Sequence, residues 1–146
     1  MGVNPQQWKC LDEINAGNMD SKTFEEFENQ YPKQFQNRKD QKLNYRYPRG
    51  ESYLDLINRI EPIIFEIERS KVPIILVSHQ AVIRCVYGFF AKKLIDEIPH
   101  LKIPLHTILK LTPQTYFCSV DKIHFDLKKK SWGLMTTHDR NVNSFI

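Results

Sequence analysis

The chain has 146 residues, 41% hydrophobic and 26% charged, the length and balance of one soluble globular domain. No apolar run approaches the roughly 20 residues of a membrane helix, and the polar opening, residues 1–29, lacks the apolar core of a secretory signal; membrane and secretory readings are set aside. The net charge is a modest +4, and the three cysteines, Cys10, Cys85 and Cys118, lie far apart without a CxxC pair, so a reducing, cytosolic compartment is expected rather than a disulfide framework or zinc site.

Residues 7–14 (QWKCLDEI) are short and mixed, and with Asn15-Ala16-Gly17-Asn18 behind them they suggest a brief strand running into a loop. Thr23 with Glu26 three residues on makes a capping box for a short helix that carries Phe24 and Phe27 and stops before Pro32. From Pro32 to Gly50 no periodicity is sustained, which predicts a long loop. Its composition is distinctive: Lys33, Arg38, Lys39, Lys42, Arg46 and Arg49 stand against the single acid Asp40, with Phe35, Tyr45 and Tyr47 interleaved. Such a segment is either a solvated basic loop or a site for phosphate groups or nucleic acid.

Ser52 opens the clearest helix, with Leu56, Ile60, Ile63 and Ile67 recurring at helical spacing and Pro62 inside the pattern as an expected kink or boundary. Residues 73–78 (PIILVS) are a continuous β-branched run of the kind buried on both faces of a sheet, and the run ends at His79-Gln80. A second helix is predicted over 81–93, its apolar stripe formed by Val82, Cys85, Val86, Phe89 and Phe90. Two late strands are predicted over 106–111 and 116–127, with a turn at Thr112-Pro113-Gln114; Lys128-Lys129-Lys130 reads as a solvated turn. The order points to an α/β sheet covered on both faces, with ligand groups at the carboxyl ends of strands.

Chemistry is expected where the 73–78 strand meets its helix. His79 stands at that junction, beside the free backbone donors of a helix amino terminus, and Gln80 and Arg84 share one helix face, so an amide and a guanidinium can be aimed at one anion. Each has a plainer reading, His79 as a helix cap or satisfied core residue. Glu13 taken alone reads as a solvated strand end; brought near a phosphate ester, it could protonate a leaving alcohol. The five glycines are scattered singly, so neither GxxxxGK nor GxGxxG occurs. His79, His100, His106, His124 and His138 form no metal-ligand pattern, and no metal or other cofactor is indicated.

The segments LDEINAG (11–17), YPRGESY (47–53), LVSHQAVIRC (76–85) and LKIPLHTILKLTP (101–113) occur in an order that resembles the bisphosphatase domain of the bifunctional 6-phosphofructo-2-kinase/fructose-2,6-bisphosphatase family, to about Arg140. That family lies in the histidine phosphatase superfamily, related to cofactor-dependent phosphoglycerate mutases. The resemblance implies a three-layer α/β/α sandwich and hydrolysis of fructose 2,6-bisphosphate to fructose 6-phosphate and phosphate. By position it makes Glu13 the general acid for the departing 2-hydroxyl and His79 the residue that steadies the transferred phosphoryl group. Gln80 and Arg84 fall at substrate-binding positions, Arg38, Lys42 and Tyr53 at those holding the remaining sugar phosphate, and Arg46 at a basic substrate-side position. Asn15 stands where an aspartate is often found, and Phe24 where the family usually has a tyrosine.

One departure is larger. The superfamily's nucleophile is the histidine of an Arg-His-Gly motif on the first central strand, and here the histidines are preceded by Ser78, Pro99, Leu105, Ile123 and Thr137. Residues 1–146 are therefore expected to be an incomplete bisphosphatase domain, without that strand and without the amino-terminal kinase domain that would be its partner in the same polypeptide. Covalent catalysis needs its nucleophile, so the chain by itself is expected to be a poor catalyst. The second reading is a noncatalytic sugar-phosphate-binding or regulatory module. Nucleic-acid binding has only the basic segment to support it, with no recognised module.

Overall fold

The computed structural model describes residues 4–135; His138 and Arg140 lie outside that range. The chain divides between Val86 and Tyr87 into two compact units.

Helices dominate the first unit. Helix α1 (Phe24–Gln30) starts on the expected capping box: the Thr23 hydroxyl accepts the Glu26 N–H at 3.2 Å, and the Glu26 carboxylate accepts the Thr23 N–H at 2.8 Å. The first half of the expected 32–50 loop is instead helix α2 (Pro32–Asp40). Pro32 ends α1 and also opens α2, at the first helical position, where its missing N–H costs nothing. The face that α2 turns away from solvent carries Gln34, Phe35 and Arg38, a mixture in which no apolar period is visible. Phe27, 3% exposed, anchors this region by meeting the Phe35 ring edge-on at 5.5 Å and lying 6.3 Å from Tyr47.

Helix α3 (Tyr53–Arg69) opens on a second box, Ser52 with Asp55, and buries Tyr53, Leu56, Ile60, Ile63 and Ile64 along one side. Pro62 does not end it. Pro62 and Asn58 both lie on the exposed face, where water can reach the Asn58 carbonyl left without its helical partner. Substituting Pro62→Ala restores that hydrogen bond and is expected to stabilise the chain by about 2 kcal/mol, somewhat less than the full interior-proline penalty because the unfolded chain also gains freedom. Thermal unfolding followed by circular dichroism checks this, and an unchanged midpoint would contradict it.

Two expected strands of this unit do not form. Residues 7–14 contain one 3-10 turn, Lys9–Leu11, in otherwise irregular chain. The carbonyls of Lys9, Cys10, Asp12 and Glu13 accept hydrogen bonds from the Arg59 guanidinium instead of from a neighbouring strand. The 73–78 run is likewise not in a sheet: no described strand pairs with it, and Ile75 and Val77 are 89% and 86% exposed. A β-branched sequence favours extended backbone, but a strand exists only where a second backbone supplies the ladder.

Helix α4 (Gln80–Phe90) begins one residue before the expected start, with Ala81, Val82, Cys85 and Val86 buried in the first unit. Beyond its last turn Lys92 adopts a left-handed conformation (φ 51°), and the Lys93 N–H closes onto the Gly88 carbonyl at 2.9 Å. In the second unit, a Cβ on Gly88 would lie 2.6 Å from Ile98 Cγ1, so any larger residue there would force the Ile98 side chain to shift.

The second unit holds an antiparallel three-stranded sheet, ordered β1 (Thr107–Pro113), β2 (Cys118–Asp126), β3 (Ser131–Met135). The β1–β2 register pairs Thr107 with His124 and Pro113 with Cys118, placing the turn two residues later than expected. The basic run 128–130 is the exposed turn from β2 to β3, organised by the Asp126 carboxylate, which accepts the Lys128 and Lys129 N–H groups. Strand β3 was not expected from the sequence. It is held by pairing with β2, including Phe125 against Trp132 with ring centroids 4.8 Å apart.

Candidate functional site

A cavity of about 440 Å³ in the first unit collects side chains from segments far apart in sequence. Arg38 comes from α2, Lys42 from the turn after it, Tyr53 from the first turn of α3, Gln80 and Arg84 from α4, and Glu13 from the irregular amino-terminal stretch. Phe24, Lys22 and Asp20 complete its charged and aromatic lining, so four basic residues face two carboxylates. That surplus of positive charge makes the cavity an anion receptor.

The loops are fixed by backbone. The Asn18 N–H donates to the Pro48 carbonyl at 3.0 Å and the Glu51 N–H to the Asn15 carbonyl at 2.8 Å, clasping the 11–17 and 47–53 motifs together. Gly17, at φ 53°, is indispensable here, because a Cβ would fall 2.2 Å from the Pro48 carbonyl oxygen. Arg59 completes the clasp. Its guanidinium donates to the Glu51 carboxylate at 2.7 and 3.1 Å as well as to the carbonyls of the 9–13 stretch, and Glu51 accepts the Asn15 N–H at 2.9 Å.

Glu13 is thereby brought to the amino terminus of α4. Its carboxylate accepts the Ala81 N–H at 3.2 Å, and the neighbouring Ser78 hydroxyl donates to the Leu11 carbonyl at 2.6 Å. The helix-end donor expected to face a phosphate is thus taken by a carboxylate of this chain. On the next turn Arg84 donates to the Tyr53 hydroxyl at 2.9 Å, and Lys42 Nζ lies 6.0 Å from the Tyr53 ring centre. Arg38 donates to the Tyr47 hydroxyl at 2.5 Å, its guanidinium carbon 4.9 Å from the Phe24 ring centre.

Electrostatics follows from this crowding. Burial, and then the charges of Arg84 and Arg38, push the Lys42 amine down to about 8. Tyr53 is raised by burial, against the opposing hydrogen bond from Arg84. The Cys85 thiol is pushed up to about 12 by burial and then by Glu13, which makes it a poor nucleophile.

Of the eight residues singled out from the sequence, Glu13, Arg38, Lys42, Tyr53, Gln80 and Arg84 share the cavity; His79 and Arg46 do not line it. His79 is exposed at the start of α4, with its carbonyl accepting the Ile83 N–H. Arg46, its side chain 64% exposed, is paired with Asp55 in the cap of α3. Arg59 and Glu51 were missed. The signal for Arg59 was present in the sequence, because a charge one position before Ile60 and four before Ile63 flanks a buried stripe and needs a partner.

Residues 1–126 match the family model described as the histidine phosphatase superfamily (branch 1). The chain belongs to this superfamily. Its fold agrees with solved structures of similar shape. A putative alpha-ribazole-5'-P phosphatase from Escherichia coli aligns with a TM-score of 0.64 at 14% identity, over 96% of this chain and 63% of that one. YhfR from Bacillus stearothermophilus aligns at 0.56 and 22%, over 89% of this chain and 59% of that one. Among its curated relatives, human 6-phosphofructo-2-kinase/fructose-2,6-bisphosphatase 1 is 48% identical over 88% of this chain. The human protein numbered 4 in that series is 46% identical over 98%, and the Arabidopsis thaliana protein 50% identical over 76%. The chain spans 27%, 29% and 15% of the lengths of these three relatives.

Proposed function

We propose that this histidine phosphatase chain is the sugar-phosphate-binding part of a fructose-2,6-bisphosphate 2-phosphatase domain, an incomplete domain acting beside a 6-phosphofructo-2-kinase domain of the same polypeptide in a reducing, cytosolic compartment. The observation that carries this reading is the gathering of Arg38, Lys42, Tyr53, Gln80 and Arg84 with Glu13 around one cavity, in a chain 46% to 50% identical to proteins whose names join the two activities. The guanidiniums of Arg38 and Arg84 and the Lys42 amine are suited to a sugar phosphate, since guanidinium–phosphate hydrogen bonds are both charged and directional. Glu13, held beside the first turn of α4, would give its proton to the departing 2-hydroxyl. His79 enters through the resemblance alone, as the group that steadies the transferred phosphoryl.

A noncatalytic binding module is the second reading, favoured by a specific feature: no histidine in this sequence follows an arginine or precedes a glycine. Without that nucleophile the phosphohistidine route has no first step.

Calorimetric titration of the folded chain with fructose 2,6-bisphosphate, with released phosphate assayed in the same samples, tests both readings. Binding without turnover is expected. The affinity should fall about tenfold between pH 7.5 and 9.5, because Lys42 loses its charge as pH rises through about 8 and the anion loses one of its cations. No heat of binding from a folded sample would refute the sugar-phosphate site, and release of phosphate by this chain would refute the noncatalytic reading.

A further inference from the structure

We propose that Lys42 is a covalent modification site for phosphorylated aldehydes and ketones, which dock by their phosphate on Arg38 and Arg84 and form an imine with the Lys42 amine. This rests on the anion-receiving cavity and not on fructose 2,6-bisphosphate being its ligand.

The geometry supplies what such a reaction needs. Lys42 is half-buried in a concave site, its Nζ 6.0 Å from the centre of the Tyr53 ring, and Arg84 is fixed against the same tyrosine by the 2.9 Å hydrogen bond to its hydroxyl. Arg38 enters from α2 and Arg84 from α4, so two permanent cations share the cavity with a titratable one. Arg84 and Arg38 act on Lys42 through their charges, the Tyr53 ring lies beside its amine, and Glu13 stands on the same cavity wall.

An amine attacks a carbonyl only when neutral. With its proton held at about 8, about a quarter of Lys42 is neutral at pH 7.5, against about one in a thousand for an ordinary lysine. Burial is the largest cause of that shift and persists when a phosphate docks; the docked anion relieves the repulsion from the two guanidiniums and itself favours the charged amine, so the neutral fraction in the complex lies below that of the empty site and still above that of an ordinary lysine. Lys22, the other lysine of the cavity, is likewise partly exposed, and its amine donates to Gln30 at 2.9 Å.

The step balances without a further reagent. The Lys42 nitrogen forms a bond to the carbonyl carbon, the carbonyl oxygen takes up a proton to give a carbinolamine, and loss of water leaves the imine. The adduct is reversible and would occupy the anion site, competing with any sugar phosphate.

Pyridoxal 5'-phosphate, an aldehyde carrying a phosphate, is the reagent of choice. The intact chain is treated briefly at pH 7.5, the imine reduced with borohydride, and the modified peptides located by mass spectrometry. Lys42 should be labelled about tenfold faster than Lys22 or the exposed Lys39 and Lys71, and inorganic phosphate should protect it. Pyridoxal without the phosphate should label it about tenfold more slowly, and Lys42→Arg, with helicity unchanged, should abolish the fast phase. Labelling spread evenly over the lysines, or equal reaction of pyridoxal and its phosphate at Lys42, overturns the proposal. Phosphate-protected labelling with no binding of fructose 2,6-bisphosphate sustains it while overturning the proposed function; binding of that sugar phosphate with even labelling does the reverse.

Discussion

Substituting Arg59→Met is expected to lower the unfolding free energy by about 3 kcal/mol. Arg59 donates to both oxygens of Glu51 and to four backbone carbonyls between Lys9 and Glu13. Methionine keeps the apolar stem and strands all of these acceptors. The side chains of the pair remain 24% and 21% exposed, so water recovers part of the loss and the cost stays below that of a fully buried pair. Arg59→Lys retains the charge without the planar fork and should recover less than half of the difference. Urea unfolding followed by tryptophan fluorescence in a Trp132→Phe background measures this, since Trp8 then reports alone and adjoins the stretch that Arg59 holds. A change smaller than about 1 kcal/mol would show that solvent already screens the cluster.

The second large effect concerns binding. Arg84→Gln should weaken sugar-phosphate affinity about 30-fold, equivalent to one charge-assisted hydrogen bond of about 2 kcal/mol. The substitution removes the cation that both faces the cavity and anchors the Tyr53 hydroxyl. Lys39→Gln, on the exposed side of α2, is the matching control because it removes equal charge without touching the cavity. Calorimetry on the two variants separates direct contact from long-range attraction. Equal losses in both would show that net charge alone recruits the anion, and raising the salt concentration would then erase them together.

Both predictions concern residues that the linear sequence treats very differently. Arg84 was legible because it lies four residues after Gln80, a helical turn apart in an evident helix. The capping boxes at Thr23 and Ser52 and the apolar stripe of α3 were legible for the same reason, since each is a local pattern whose partners are three or four residues apart. Helix α2 was hidden because its inward face mixes Gln34, Phe35 and Arg38, and β3 because five residues including a glycine carry little pattern of their own. Arg59 hid in plain view, its partners 46 to 50 residues away along the backbone.

The sequence by itself determined the helices with strong caps and stripes, because short spacing encodes those directly, and it placed Gln80 and Arg84 on one helix face; the superfamily and the grouping of Glu13, Arg38, Lys42 and Tyr53 with them came from the resemblance of four motifs in order, and the cavity brings these six side chains together. Tertiary structure alone decided that the carbonyls of Lys9, Cys10, Asp12 and Glu13 accept from Arg59, that the Glu13 carboxylate accepts the Ala81 N–H in the first turn of α4, that Arg46 turns to Asp55, and that the 73–78 run stands exposed with no described strand beside it. The physical reason is the same in each case. A backbone segment or a charged side chain takes whichever partner the rest of the chain brings within hydrogen-bonding reach, and its own residue type does not name that partner.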